Sequence, residues 1–264
     1  MTTIGQTTSG AAIEIDLDAG CRLSSLEIAG HQLLVQSGPS SIEWGAYPMA
    51  PYAGRIRNGR LDFDGSAHRL PINLGDHAIH GTVFDVPWTP ESDRSFVVDL
   101  GEAWPFAGFA RQSYELTPGA LHMRLEVHTT DAAMPASAGW HPWFRRGIGG
   151  VTAVLDFRPG YMLMRDATGI TTTTRMDPPP GPWDDCFGDV ETSPSIRWPG
   201  IATLTLDSTC SYWVAFTERD HAICLEPQTA PPNALNSDPF IVRPGEPLVA
   251  QTAIRWELEG HPGE

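Results

Sequence analysis

Two side chains of this sequence, His141 and Glu226, can pass protons to and from a small polar molecule at neutral pH. His141 stands in Ala138-Gly-Trp-His-Pro-Trp-Phe144, flanked by Trp140, Trp143 and Phe144. Flat aromatic faces beside polar groups suit a sugar ring, which is apolar on its C–H faces and hydroxylic at its edge. The competing reading is an aromatic core cluster that encloses a satisfied histidine. Pro142 disfavours a regular central strand, which predicts that His141 lies at a strand end or pocket rim. Glu226 closes the apolar run Ala222 to Leu225 and is followed by Pro227. A strand that ends this way delivers a carboxylate to a rim, although an exposed glutamate at a strand terminus accounts for the same pattern.

Three other segments gather polar groups among turn residues. Tyr47 to Arg60 places Arg55, Arg57 and Arg60 within six positions of a chain poor in basic residues. A planar guanidinium holds two hydroxyls or a carboxylate in fixed geometry. Arg55, between an Ala-Gly turn and the apolar Ile56, is the candidate, whereas Arg57 and Arg60 read as surface charges paired with acidic neighbours. Asp76-His-Ala-Ile-His-Gly81 carries two histidines three apart, not the four-residue helical spacing of a zinc motif, and suggests a polar pocket. Trp183-Asp-Asp-Cys-Phe187 offers two adjacent carboxylates, which mark either a solvated turn or acceptors for sugar hydroxyls.

The elements that must position these groups are strands. Leu121, Met123, Leu125 and Val127 alternate with His122, Arg124, Glu126 and His128, and the same period of two recurs at Ile13–Leu17, Leu204–Leu206 and Ile254–Leu258. No window sustains a helical apolar period. The 26 glycines and 24 prolines fall between the runs as turn punctuation, so the expected class is all-β, a sandwich or barrel-like assembly of short strands. Residues 1–264 are expected to form a single domain. Thr171 to Trp183, with four threonines and then Pro178, Pro179, Pro180 and Pro182, is expected to be a long loop rather than a linker.

Composition narrows the partners. A net charge of −15, from 32 acidic and 17 basic side chains, repels phosphate backbones and argues against nucleic acid. No stretch approaches the about 20 apolar residues that cross a membrane. Met1 to Gly10 lacks the basic and apolar regions of a signal peptide, so the expected compartment is the cytoplasm. Cys21, Cys186, Cys210 and Cys224 are scattered, without a zinc spacing. Cys224 reads as a buried apolar group and Cys186 at most as a pocket wall. Oligomeric state has no signature in the sequence.

In their order along the chain these segments resemble the aldose 1-epimerase (galactose mutarotase) family in its shorter bacterial form. The resemblance rests on Tyr52-Ala-Gly-Arg-Ile-Arg-Asn-Gly59, His80-Gly81, His141-Pro-Trp-Phe144, Asp184-Asp-Cys-Phe187, Leu225-Glu-Pro227 and the ending Arg243-Pro-Gly-Glu246. It implies a β-supersandwich (galactose mutarotase-like) fold and cofactor-free exchange of α and β anomers of a neutral aldose, without a metal. On the matching positions it implies His141 and Glu226 as catalytic residues and Arg55, His80 and Asp184 as substrate-binding residues, with Asp185 one position away as the competing aspartate. Two departures, Gly54 and Trp140 where asparagines are usual, are expected to bear on substrate choice.

The implied chemistry makes a demand of its own. A glutamate near its ordinary pKa of ~4.3 is ready as a base, but a histidine near ~6.5 needs a raised pKa to act as the acid. Glu226 and Asp184 are expected to raise it. The rival readings are a hexose-6-phosphate or sulfosugar mutarotase using Arg57, Arg60, Arg145 and Arg146, a glycoside hydrolase pairing Asp184 or Asp185 with Glu226, and a non-catalytic sugar-binding module.

Overall fold

The apolar–polar alternation becomes strand after strand in the computed structural model, which describes residues 2–259. Met1 and residues 260–264, which the single-domain expectation also spans, lie outside the described residues. The Ala120–Thr129 strand shows the cause: Met123, Leu125 and Val127 are buried, while His122 faces solvent. Only two single 3₁₀ turns, Arg57–Gly59 and Ala234–Asn236, interrupt the strands among the described residues. No helix there is long and apolar enough to cross a membrane.

Two large antiparallel sheets carry the architecture. The larger runs Thr3–Thr8, Ala11–Asp16, Arg22–Ile28, Ala46–Met49, Gly139–Arg145, Ala222–Gln228, Tyr212–Phe216, Asp184–Val190, Pro159–Arg165 and Thr171–Met176, with His31–Gln32 as a short addition beside Arg22–Ile28. The smaller runs Thr89–Pro90, Ser95–Asp99, Gly108–Thr117, Ala120–Thr129, Leu248–Leu258, Ala202–Ser208, Ser195–Trp198 and Val154–Asp156. Side chains from both meet in one core that includes Ile13, Leu26, Phe96, Leu125, Trp140, Phe144, Leu225 and Ile254. Polar contacts inside it are directional. The Trp140 indole N–H donates to Gln112 Oε1 at 3.1 Å, and the Tyr114 hydroxyl donates to the Cys21 carbonyl at 2.7 Å.

The structure corrects two expectations about strand ends. Gly139–Arg145 lies in the middle of the larger sheet, with Pro142 inside it, and Ala222–Gln228 continues two residues beyond Glu226. The prolines are tolerated because the ladder between these strands opens where they sit. Pairing holds at Gly139↔Gln228 and resumes at Trp143↔Cys224, leaving Trp140–Pro142 and Leu225–Pro227 without ladder partners across that seam. A proline has no N–H to donate, so it costs least in such a gap. The stretch expected to be a long loop also divides: Thr171–Met176 is an edge strand of the larger sheet, and the proline-rich residues 177–183 are irregular. β-Branched threonines with mostly exposed side chains suit an edge. Strands from before and after this stretch share both sheets.

The Trp140–Gln112 bond ties one sheet to the other inside the core. Gln112→Leu strands a buried indole N–H and is expected to lower the unfolding free energy by about 1–3 kcal/mol. Urea unfolding of the variant, at unchanged dependence on denaturant concentration, checks this.

Candidate active site

Strand alternation decides which side chains face the cavity. Along Gly139–Arg145, Trp140 and Phe144 enter the core between the sheets, whereas Trp143 belongs to a second cluster on the other face with Tyr47, Met49 and Cys224. His141 shares that outer face, since side chains two apart on a strand point the same way. Tyr47 is its direct cross-strand partner on one side. On the other, the register Gly139↔Gln228 and Trp143↔Cys224 sets Glu226 opposite His141. Opposed residues on neighbouring strands are in reach of one another, and His141 Nε2 lies 3.1 Å from Glu226 Oε1. Glu226 Oε2 accepts a hydrogen bond from Gln228 Nε2 at 3.2 Å. The imidazole is held between two rings, Tyr47 at 5.1 Å between centroids and Trp143 at 5.3 Å and nearly parallel.

A short ribbon brings in the next two groups. Arg55–Ile56 pairs with Ala78–Ile79, and the His80 N–H donates to the Gly54 carbonyl at 3.0 Å. His80 adopts φ 63°, a left-handed conformation that is uncommon for a residue with a Cβ, and its ring packs edge-on to His141 at 5.1 Å. The next residue must be glycine: at Gly81, with φ +85°, a Cβ would lie 1.9 Å from the Ala50 carbonyl oxygen. His77, the other histidine of this segment, does not join the cavity lining. It accepts a hydrogen bond from the Asn58 N–H at Nδ1 and contacts the Thr168 carbonyl through Nε2, so it braces two loops.

Asp184 opens the Asp184–Val190 strand, and both it and Asp185 reach the same cavity. Arg165 bridges them, 3.1 Å from Asp184 Oδ2 and 2.8 Å from Asp185 Oδ1, while Arg55 approaches Asp184 at 3.6 Å. The cavity holds about 350 Å³ and is lined by Arg55, His80, His141, Asp184 and Glu226 together, five residues spread over 172 positions of chain. Sequence reasoning missed Arg165, whose only signal was a basic residue just before a turn. Of the other arginines, Arg57 pairs with Asp166, Arg60 with Asp62, and Arg146 donates to the carbonyls of Thr217, Arg219 and Ala222. Trp140, expected to bear on substrate choice, is fully buried on the opposite face of its strand, whereas Gly54 does line the cavity beside Pro232. All four cysteines are free and buried, Cys186 forming part of the cavity wall and Cys224 lying in the adjoining apolar cluster.

The electrostatics overturn one expectation. Neighbouring carboxylates were expected to raise the His141 pKa, but burial, with Arg22 and then Arg55 adding positive charge, lowers it to about 3. Burial, helped by Asp184, pushes Glu226 well above the usual carboxylate range. Both side chains are almost fully enclosed, His141 6% and Glu226 2% exposed. Charge is costly in such a place. Burial therefore favours a neutral pair, the Glu226 carboxyl O–H donating to His141 Nε2, over an ion pair. The two forms differ by one proton moved along the 3.1 Å contact. Burial also holds His80 in its neutral form and raises Asp184 against the opposing pull of Arg55 and Arg165.

Comparison with known proteins bears on this arrangement. The profile of the aldose 1-epimerase family matches residues 7–155, a stretch that contains Arg55, His80 and His141. The uncharacterized protein YphB of Escherichia coli K12 is 27% identical over 126 residues, 46% of this chain and 43% of that protein, so the match spans under half of that curated relative. A galactose mutarotase-like protein from Clostridium acetobutylicum superposes with a TM-score of 0.85 at 17% identity, over 96% of this chain and 94% of its own. A galactose 1-epimerase from Lactobacillus acidophilus does so with a TM-score of 0.79 at 17% identity, over 97% and 93%. Likeness at this level of identity is one of fold: the two sheets form the β-supersandwich of galactose mutarotase-like proteins.

A carboxyl whose pKa is raised by folding makes a stability contribution that is full below the unfolded value, near ~4.3, and is lost as pH climbs toward the folded one. Glu226→Gln cannot ionise and escapes that loss. Its unfolding free energy relative to the unsubstituted protein is expected to rise steadily from acidic to neutral pH, as measured by urea unfolding at a series of pH values.

Proposed function

Because the chain belongs to the aldose 1-epimerase family, we propose that it interconverts the α and β anomers of a neutral aldose, with His141 and Glu226 as the acid–base pair. The observation that carries this reading is the enclosed 3.1 Å contact between His141 Nε2 and Glu226 Oε1 in the wall of a sugar-sized cavity. Anomer exchange takes the proton from the anomeric hydroxyl and gives one to the ring oxygen. The ring opens, the C1–C2 bond turns, and the ring recloses with the roles reversed.

Both oxygens sit on one carbon. A sugar that presents that carbon to the pair meets an acid and a base side by side. In the working form the shared proton lies on His141, which delivers it to the ring oxygen while the Glu226 carboxylate takes the hydroxyl proton. The pair then holds as many protons as before. Bound hydroxyls supply the hydrogen bonds that a buried carboxylate requires, and so favour this form over the resting one. Arg55, His80 and Asp184 hold the remaining hydroxyls. The route uses neither metal nor nicotinamide.

The charge of the lining favours a neutral substrate. Even without Glu226, which burial holds neutral, Glu43, Asp184, Asp185 and Glu218 outnumber Arg55, Arg165 and Arg219 in the lining. Arg165 is engaged by both aspartates and Arg55 approaches Asp184. A phosphate or sulfonate entering this cavity meets a surplus of carboxylates, and Arg57, Arg60, Arg145 and Arg146 do not line it.

Polarimetry of freshly dissolved α-galactose tests the assignment. His141→Asn and Glu226→Gln are each expected to lower kcat by about 10²–10⁴-fold, and two variants of near-normal rate would sink it. An aldose 6-phosphate is expected to show a lower kcat/KM than the free sugar. Release of nitrophenol from nitrophenyl glycosides would instead favour hydrolysis.

A further inference from the structure

Behind the cavity lies a buried cation that the acid–base chemistry above does not use. Arg22 begins the Arg22–Ile28 strand and is fully enclosed. Its N–H groups donate to the carbonyls of Ala19 at 3.2 Å, Ser41 at 2.6 Å, Phe84 at 3.2 Å and Trp44. These partners are all carbonyl oxygens, so no bonded carboxylate cancels the charge. Burial pulls its pKa down only to about 10, which leaves it charged at neutral pH. A charge in such a place is expensive, and Arg22 lies within a column of rings that leads to the site.

The guanidinium carbon sits 4.2 Å from the Trp44 ring centroid and 4.6 Å from that of Tyr47. Tyr47 stacks on His141 at 5.1 Å, and His141 on Trp143 at 5.3 Å with an angle of 5°. Trp143 continues to His221 at 6.1 Å and 12°. The column thus runs Trp44, Arg22, Tyr47, His141, Trp143, His221, with one cation at a fixed place and the reacting imidazole one ring away. Packing also fixes the arginine stem: at Gly45, with φ +67°, a Cβ would lie 2.7 Å from Arg22 Cδ.

We propose that Arg22 is a positioning residue for anomer exchange, acting through Tyr47 to set the plane of the His141 ring and, as a fixed buried cation, to oppose its protonation. This rests on the acid–base assignment given above. The broad planar guanidinium lies over the Tyr47 ring, a contact that a compact lysine ammonium does not reproduce. The groups that face His141 from the surrounding elements are Tyr47, Arg55, His80, Trp143 and Glu226. Among them Arg55 shares the sign of Arg22 but lies in the cavity, partly exposed and close to Asp184, where a sugar displaces water around it. Arg22 is fully buried and feels Asp85 and Asp16 only through space, away from the cavity lining, so its field on His141 is the steadier of the two.

Three folded variants and two readouts test this. Arg22→Lys keeps the charge and loses the stacked plane; kcat is expected to fall about tenfold, with KM and the pH limits of kcat/KM unchanged. Arg22→Met removes the charge; the acid limb of kcat/KM and the His141 imidazole titration followed by NMR are both expected to move up by about half to one pH unit. Tyr47→Leu leaves the charge but removes the intervening ring, and is expected to match Arg22→Lys in kcat, which decides the matter if Arg22→Met does not fold. Wild-type kcat in folded Arg22→Lys and Tyr47→Leu, or an unmoved His141 titration in folded Arg22→Met, would overturn the proposal. The NMR titration needs no turnover. A parent protein that fails to speed anomer exchange therefore removes the functional reading, while the effect of Arg22 on His141 is still measured.

Discussion

The site depends on a break in a hydrogen-bond ladder. Between the strands that carry His141 and Glu226, pairing stops after Gly139↔Gln228 and resumes at Trp143↔Cys224. Within that break both strands keep their direction, held by Ala46–Met49 on one side and Tyr212–Phe216 on the other. The two side chains consequently stand opposed at 3.1 Å in the middle of a sheet, which is more rigid than a loop. Pro142 and Pro227 occupy the gap. Their missing donors fit a place where no ladder bond is made, and they resist closure of the seam into regular pairing.

Placing the pair there determines its electrostatics. A sheet interior with a second sheet behind it offers little water, so neither imidazolium nor carboxylate is favoured at rest. Nearby charges add to this: Arg22 and Arg55 oppose a cation at His141, and Asp184 opposes an anion at Glu226, where Gln228 and Arg55 pull the other way without overcoming burial. The result is a neutral pair holding one transferable proton. The proposed anomer exchange returns every proton it borrows, and so suits such a pair.

The cavity rim follows a different principle. Arg55, Arg165, Asp184 and Asp185 form a partly exposed cluster of opposite charges that offers both donors and acceptors to hydroxyls. The deep end of the cavity is therefore poor in charge and the mouth rich in it. The His141 ring is stacked between Trp143, which lines the cavity, and the fully buried Tyr47.

Much of this was legible in the residues themselves. Period-two alternation identifies the strands wherever one face is buried, as in Ala120–Thr129, because burial selects side chains one position in two. The order of Arg55, His80, His141, Asp184 and Glu226 was legible through the family resemblance, and folding brings those five side chains to one cavity. Pairing remained invisible: that Pro142 sits within a central strand, that Thr171–Met176 joins a sheet edge, and that Arg165 crosses to two aspartates depend on partners distant in sequence. So does the charge state of His141. The sequence alone determined which groups are able to exchange protons; the tertiary structure decided which forms they hold, because a pKa is set by burial and by charges that only folding brings near.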